Sequence, residues 1–143
     1  MSVEALERLT KTGWIHAKFV EFVRVVYPEI HEAIEIDTPD MVSLIFLTEN
    51  TIEIARTPIL SRAALEVSLE TIPLSKVRGI NTEFELYDVD PSDEIKLDKT
   101  KFKATVSIEN REDLVIDLTT VTSNIRYKIA DLTSFLAHLR RVV

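Results

Sequence analysis

Between positions 41 and 118 apolar side chains recur at every second residue, in run after run. A chain written this way covers its apolar surface as β-sheet, because successive strand side chains point to opposite faces. Residues 102–108 carry Phe102, Ala104, Val106 and Ile108 between Lys103, Thr105 and Ser107. Asn110-Arg111 reads as a turn, and Leu114, Ile116 and Leu118 return among Asp113 and Asp117, the pattern of a hairpin. Upstream, residues 41–47 are nearly continuously apolar, as in a central strand covered on both faces. Glu49-Asn50 makes a turn, and residues 51–56 alternate with Ile52 and Ile54 inward. Pro58 marks a loop. Leu65, Val67 and Leu69 then alternate with Glu66, Ser68 and Glu70 in a strand that Pro73 ends. A further strand covers residues 77–87 with Gly79 as a bulge, and the polar stretch 88–100, with Pro91, is a loop. Ile, Val and Thr make up about 30% of the chain, and their branched Cβ atoms favour sheet.

The two ends follow a different period. Ser2 caps a short helix with Val3, Leu6 and Leu9 on one side, and Gly13 breaks it. From Trp14 onwards Ile15, Phe19, Phe22, Val23 and Val26 have helical spacing, up to Pro28. That segment reads either as a helix covering the sheet or as an interaction or oligomerisation helix, because its apolar residues must be buried somewhere. In residues 29–37, Ile30 and Ile34 have helical spacing and Ile34 and Ile36 strand spacing; a strand over 33–36 is favoured. At the other end Ser123 or Thr122 caps a helix whose stripe is Ile125, Ile129, Leu132, Leu136 and Leu139. Arg140 and Arg141 sit where the negative end of the helix dipole favours cations. The expected layout is one β-rich α+β domain: a helical extension over 1–28, an antiparallel sheet over 29–121 and a C-terminal helix over 122–143.

Composition narrows the chemistry. The 143 residues match one ordinary domain. Only 2 Gly are present, too few for a dinucleotide fingerprint or a phosphate-binding loop. With no Cys, disulfides, thiolate metal sites and Cys nucleophiles are excluded. A net charge of −7 disfavours nucleic acid and anionic membranes as partners. Glu4, Glu7 and Arg8 interrupt any signal-like apolar run near Met1, and no stretch reaches the length of a membrane helix. These features lead us to expect a cytoplasmic protein.

The order of a six- or seven-strand antiparallel meander followed by one amphipathic helix resembles the pleckstrin-homology-like (PH-like) fold. Local text is similar to bacterial PH-like domains: Leu47-Thr48-Glu49-Asn50, then the strand 51–56, then Ile72-Pro73-Leu74-Ser75-Lys76-Val77. The resemblance spans residues 41–141 and implies a curved sheet or partial barrel whose end the final helix fills. In membrane-binding PH domains basic residues on early strands and loops hold lipid headgroups; that motif does not map onto this chain residue by residue.

No constellation supplies a reaction. His16, His31 and His138 lack a ligand partner four residues on, and His31-Glu32 has no second His at position 35, so the zinc-protease pattern fails. Asp88, Asp90, Ser92 and Glu94 have calcium-loop spacing, but the loop needs Gly where Asp93 stands and Glu where Lys99 stands. Ser61, Ser75 and Ser123 sit in no nucleophile elbow. Glu83 with Glu85, and Asp113 with Asp117, read as solvated surface carboxylates. Lys96, Lys99, Lys101 and Lys103, with Arg56, Arg62, Lys76 and Arg78, form a basic set diluted by Asp98 and the acidic run 88–94. No interleaved aromatics accompany the lysines, which argues against single-stranded nucleic acid. No catalytic, cofactor-binding or metal-ligating residue is therefore assigned. The leading expectation is a non-catalytic binding or assembly module whose partner is another protein or a second copy, as a homo-oligomer. The alternative is lipid or small-ligand binding at the open end of the sheet, with an enzyme ranked third.

Overall fold

The computed structural model describes residues 4–37, 40–58, 65–86, 91–92, 100–118 and 125–143. The chain divides into two compact units, one made of Met1–Ser75 with Asp131–Val143 and the other of Lys76–Ala130. The described residues form a β-rich α+β protein with seven strands in antiparallel sheets of four and three, and neither sheet closes into a barrel.

The first unit starts with helices α1 (Glu4–Thr10) and α2 (Trp14–Val26), followed by strands β1 (Glu32–Asp37), β2 (Met41–Leu47), β3 (Thr51–Pro58) and β4 (Ser68–Pro73). The strands pair in sequence order, β1-β2-β3-β4. The strand favoured over 33–36 forms as β1, with residues 29–31 outside it, and the nearly continuous apolar segment takes an inner position as β2. Paired residues share a face, so the register sorts the side chains. One face carries Ala33, Phe46 and Glu53 in one row and Leu44 and Ala55 in the next. Ala5, Leu6 and Leu9 of α1 and Phe19, Val20 and Val23 of α2 close over this face in one buried cluster. The opposite face carries Ile34, Ile45 and Ile54, and Leu47, Ile52 and Ile72, all buried. Each such side chain removed from water contributes about 1.5–3 kcal/mol.

The register also corrects three expectations. Strand β3 runs on through Pro58, which pairs with Met41; β4 reaches only to Arg56, so the missing Pro N–H leaves no ladder bond unmade. Strand β4 starts at Ser68 rather than Leu65, because Leu65 and Val67 leave the ladder to pack against the helix-covered cluster. Glu53, an alternating polar residue, is buried because both faces of β3 are covered.

From Asp131 onwards the last helix, α3 (Ile125–Val142), belongs to the first unit. Leu132, Phe135, Leu136 and Leu139 are buried. Arg8 of α1 donates to the Asp131 carboxylate, and Ser134 Oγ donates to Glu32 Oε2 at 2.9 Å. The caps expected at Ser2, Thr122 and Ser123 lie outside the described residues.

The second unit contains strands β5 (Val77–Leu86), β6 (Thr100–Ile108) and β7 (Leu114–Asp117), paired in that order. The expected hairpin is β6-β7, and the left-handed backbone that its turn needs falls on Asn110, at φ 58. The bulge forms where β5 shifts register between Val77 and Gly79. On one face Phe84 pairs with Phe102, and Ala104 with Ile116. On the other, Glu83 faces Lys103, which faces Asp117, and Glu85 faces Lys101, so opposite charges alternate across the strands.

Candidate functional site

At about 100° per residue, the apolar residues of α2 spread over a wide arc with a buried side and an outward side. Phe19, Val20 and Val23 lie on the first and are buried against the sheet. Trp14, Val25 and, at its flank, Phe22 lie on the second and are 63%, 76% and 41% exposed, whereas Val26, 41% exposed, borders the buried side about 20° from Phe19. Phe22, read from spacing as part of the packed face, therefore belongs to the outward one. The helical spacing was legible, but the split into two sides was not, because i, i+3 and i+4 steps join both sides into one pattern.

The outward arc is held firmly. Gly13 adopts extended backbone before the helix, and Ala17 N–H bonds to its carbonyl at 2.9 Å. Arg24 donates to Glu7 of α1 at 2.8 Å, and this pairing holds the exposed Glu7 carboxyl below its ordinary pKa. At the far end Tyr27 N–H closes the last turn onto Val23 O at 2.8 Å. The Tyr27 ring meets Phe46 edge-on, with centroids 5.1 Å apart, and its hydroxyl donates to Glu53 Oε1. Thr71 Oγ1 donates to the same oxygen at 2.7 Å, whereas the buried Glu53 Oε2 has no hydrogen-bond partner. Burial, then the hydrogen bond and negative charge of Glu53, push the Tyr27 pKa up. Between the exposed apolar residues, Lys18 and Glu21 pair at 2.9 Å on the solvent side.

The polar groups singled out in the sequence are scattered. His31 and His138 stack at a tilt with centroids 5.5 Å apart, and Glu32 Oε1 lies 3.9 Å from His138 Nδ1. No group of three ligating side chains among the described residues has metal-binding geometry. His16 lies on the first turns of α2. Asp88, Asp90, Asp93, Glu94, Lys96, Asp98 and Lys99, with Ser61, Arg62 and Ser123, lie outside the described residues. Ser75 and Ser92 are exposed. Lys76 and Arg78 converge on Glu109, and Arg56 lies 3.9 Å from Glu70, so these cations carry acidic partners. No helix of the described residues is long and apolar enough to cross a membrane.

The Asp131 carboxyl is strongly altered by its surroundings. Burial pushes its pKa up to about 6; Arg8 opposes the rise, and Glu4 and Glu35 add to it. It anchors α1 to α3 through Arg8. In the second unit Phe84 and Leu86, at the far end of β5, are exposed on the face that carries Phe102. The rigid, outward, largely apolar arc of α2 is thus the surface with most to gain from a partner. Compared with known proteins, the chain matches no family model, no curated protein and no solved structure.

Proposed function

We propose that this protein is a non-catalytic binding or assembly module that docks another polypeptide on the outward arc of α2. The observation that carries this reading is a single helix anchored by Phe19, Val20, Val23 and Tyr27 while Trp14 and Val25 project on its other side. An apolar helix face of this kind is bound by a complementary helix or groove, whose contacts recur at the same spacing. We read the scaffold as PH-like. Four and then three antiparallel strands before one amphipathic helix support that reading, as does the segment from Leu47 to Val77.

A photo-crosslinking amino acid at position 14 or 25, in cells that make the protein, tests the docking surface. Covalent polypeptide adducts are expected at both positions and not at Lys11, an exposed control at the end of α1. Adduct formation no greater than at Lys11 would refute the reading. Phe84 and Leu86 favour a second reading, an apolar ligand or lipid at that end of the second sheet. It requires cosedimentation with anionic vesicles at low salt, lost on Phe84→Ser.

A further inference from the structure

We infer that the occupant of the outward arc is a second copy of this chain, its α2 packed antiparallel about a twofold axis between residues 19 and 20. This deepens the docking reading above and rests on it. The argument is self-complementarity. A twofold contact needs one patch that matches itself after rotation, so that if residue i meets residue j, j also meets i. About an axis midway between positions 19 and 20, position 14 faces position 25 and position 18 faces position 21. These are the most exposed apolar residues of the helix, Trp14 and Val25, and an ion pair within its outward side, Lys18 and Glu21.

All four lie within about 60° of arc, the width that one helix presents to another. Trp14 of each copy then covers Val25 of its partner at both ends. In the middle, each Lys18 lies beside the partner's Glu21, so two cations and two anions alternate. Phe22 borders the contact on one flank. No single-residue shift of the register matches both pairs: a shift of one residue in either direction sets Lys18 against Phe22 or Val20. An arc built for an unrelated partner has no reason to satisfy this symmetry.

Area sets the strength. The exposed parts of Trp14, Phe22 and Val25 amount to about 400 Å² per copy. That is roughly half of what each partner contributes to a standard stable interface. The dimer is therefore weak and reversible, at the low end of interface sizes.

Sedimentation equilibrium of the full chain from 10 µM to 1 mM, roughly the span in which such a weak interface titrates, tests this. Wild type should shift from monomer to dimer. Lys18→Glu and Glu21→Lys should each weaken dimerisation roughly tenfold or more, because like charges then face each other twice. An equimolar mixture of the two variants should dimerise again, because the mixed pair restores both opposite-charge contacts. Helix content by circular dichroism accompanies each variant. A second readout uses the absence of native Cys: mixed Trp14→Cys and Val25→Cys chains should form a disulfide under mild oxidation.

A wild type that stays monomeric at 1 mM would overturn the inference, and so would a dimer that the charge variants leave unchanged or their mixture fails to restore. The crosslinking experiment separates the two claims. An adduct of twice the chain mass supports both. An adduct of another mass overturns the second copy and leaves the docking surface standing. No adduct removes both.

Discussion

Tyr27→Phe is the most informative single change in the first unit. Phenylalanine keeps the ring that meets Phe46 edge-on and removes only the hydroxyl that donates to Glu53. Glu53 is 1% exposed and accepts through Oε1 alone, from Tyr27 and Thr71. Loss of one of two donors to a buried carboxylate costs about 2 kcal/mol, the middle of the range for bonds to charged groups. For a chain of this size that lowers the melting temperature by roughly 6 °C. Urea unfolding, followed by circular dichroism and by the fluorescence of the one Trp, measures the change. Glu53→Gln supplies the control, since its amide oxygen still accepts both hydroxyls but carries no charge. In that background Tyr27→Phe should cost only about 1 kcal/mol, the figure for a neutral hydrogen bond. A cost below about 0.5 kcal/mol in the wild-type background would refute the reasoning, as would equal costs in both backgrounds.

Asp131 gives a pH signature: its folded pKa of about 6 exceeds the ordinary value of 3.8, so the folded state binds the extra proton between them. Its contribution to stability is thus fully present below pH 3.8 and lost as pH rises through about 6. Asp131→Asn should flatten the stability profile across that window, and an NMR titration of the Asp131 carboxyl with a midpoint below 4 would refute the assignment. The two sides of α2 predict opposite outcomes for two phenylalanines. Phe19→Ala should cost about 3–5 kcal/mol, and Phe22→Ala about 0.5 kcal/mol or less at concentrations where the chain is monomeric, both read by urea unfolding.

The sheet was legible because period two is a local signal that each strand carries in full. Phe102, Ala104, Val106 and Ile108 are all buried, as their alternation requires. Where packing depends on a distant element, the local signal fails. Glu53 reads as a solvent-facing residue between Ile52 and Ile54, and only the arrival of α2 with Tyr27 makes its position an interior one. The same holds for the outward arc: whether Phe22 or Phe19 is buried depends on which side of α2 meets β2, and helical spacing leaves both sides apolar. Leu65 and Val67 look like strand residues because they alternate, but pairing requires a neighbour, and β3 pairs with β4 only from Ser68. The functional surface was half legible for this reason. The segment stood out as one that had to be covered; the residues left uncovered did not.

The interrupted make-up of the first unit also bears on synthesis. Its four-stranded sheet is a meander in which each strand pairs with the next in sequence, so those contacts close over short loops and form early. The Arg8–Asp131 contact, by contrast, joins residues 123 positions apart. On the ribosome, α1, α2 and β1–β4 therefore emerge and collapse without Leu132, Phe135, Leu136 and Leu139, the share of the buried side chains that α3 brings to that unit. The contiguous second unit is complete by Ala130, before the first can be. The nascent chain must shelter a part-formed unit for the whole time that the intervening 55 residues, Lys76–Ala130, take to be made.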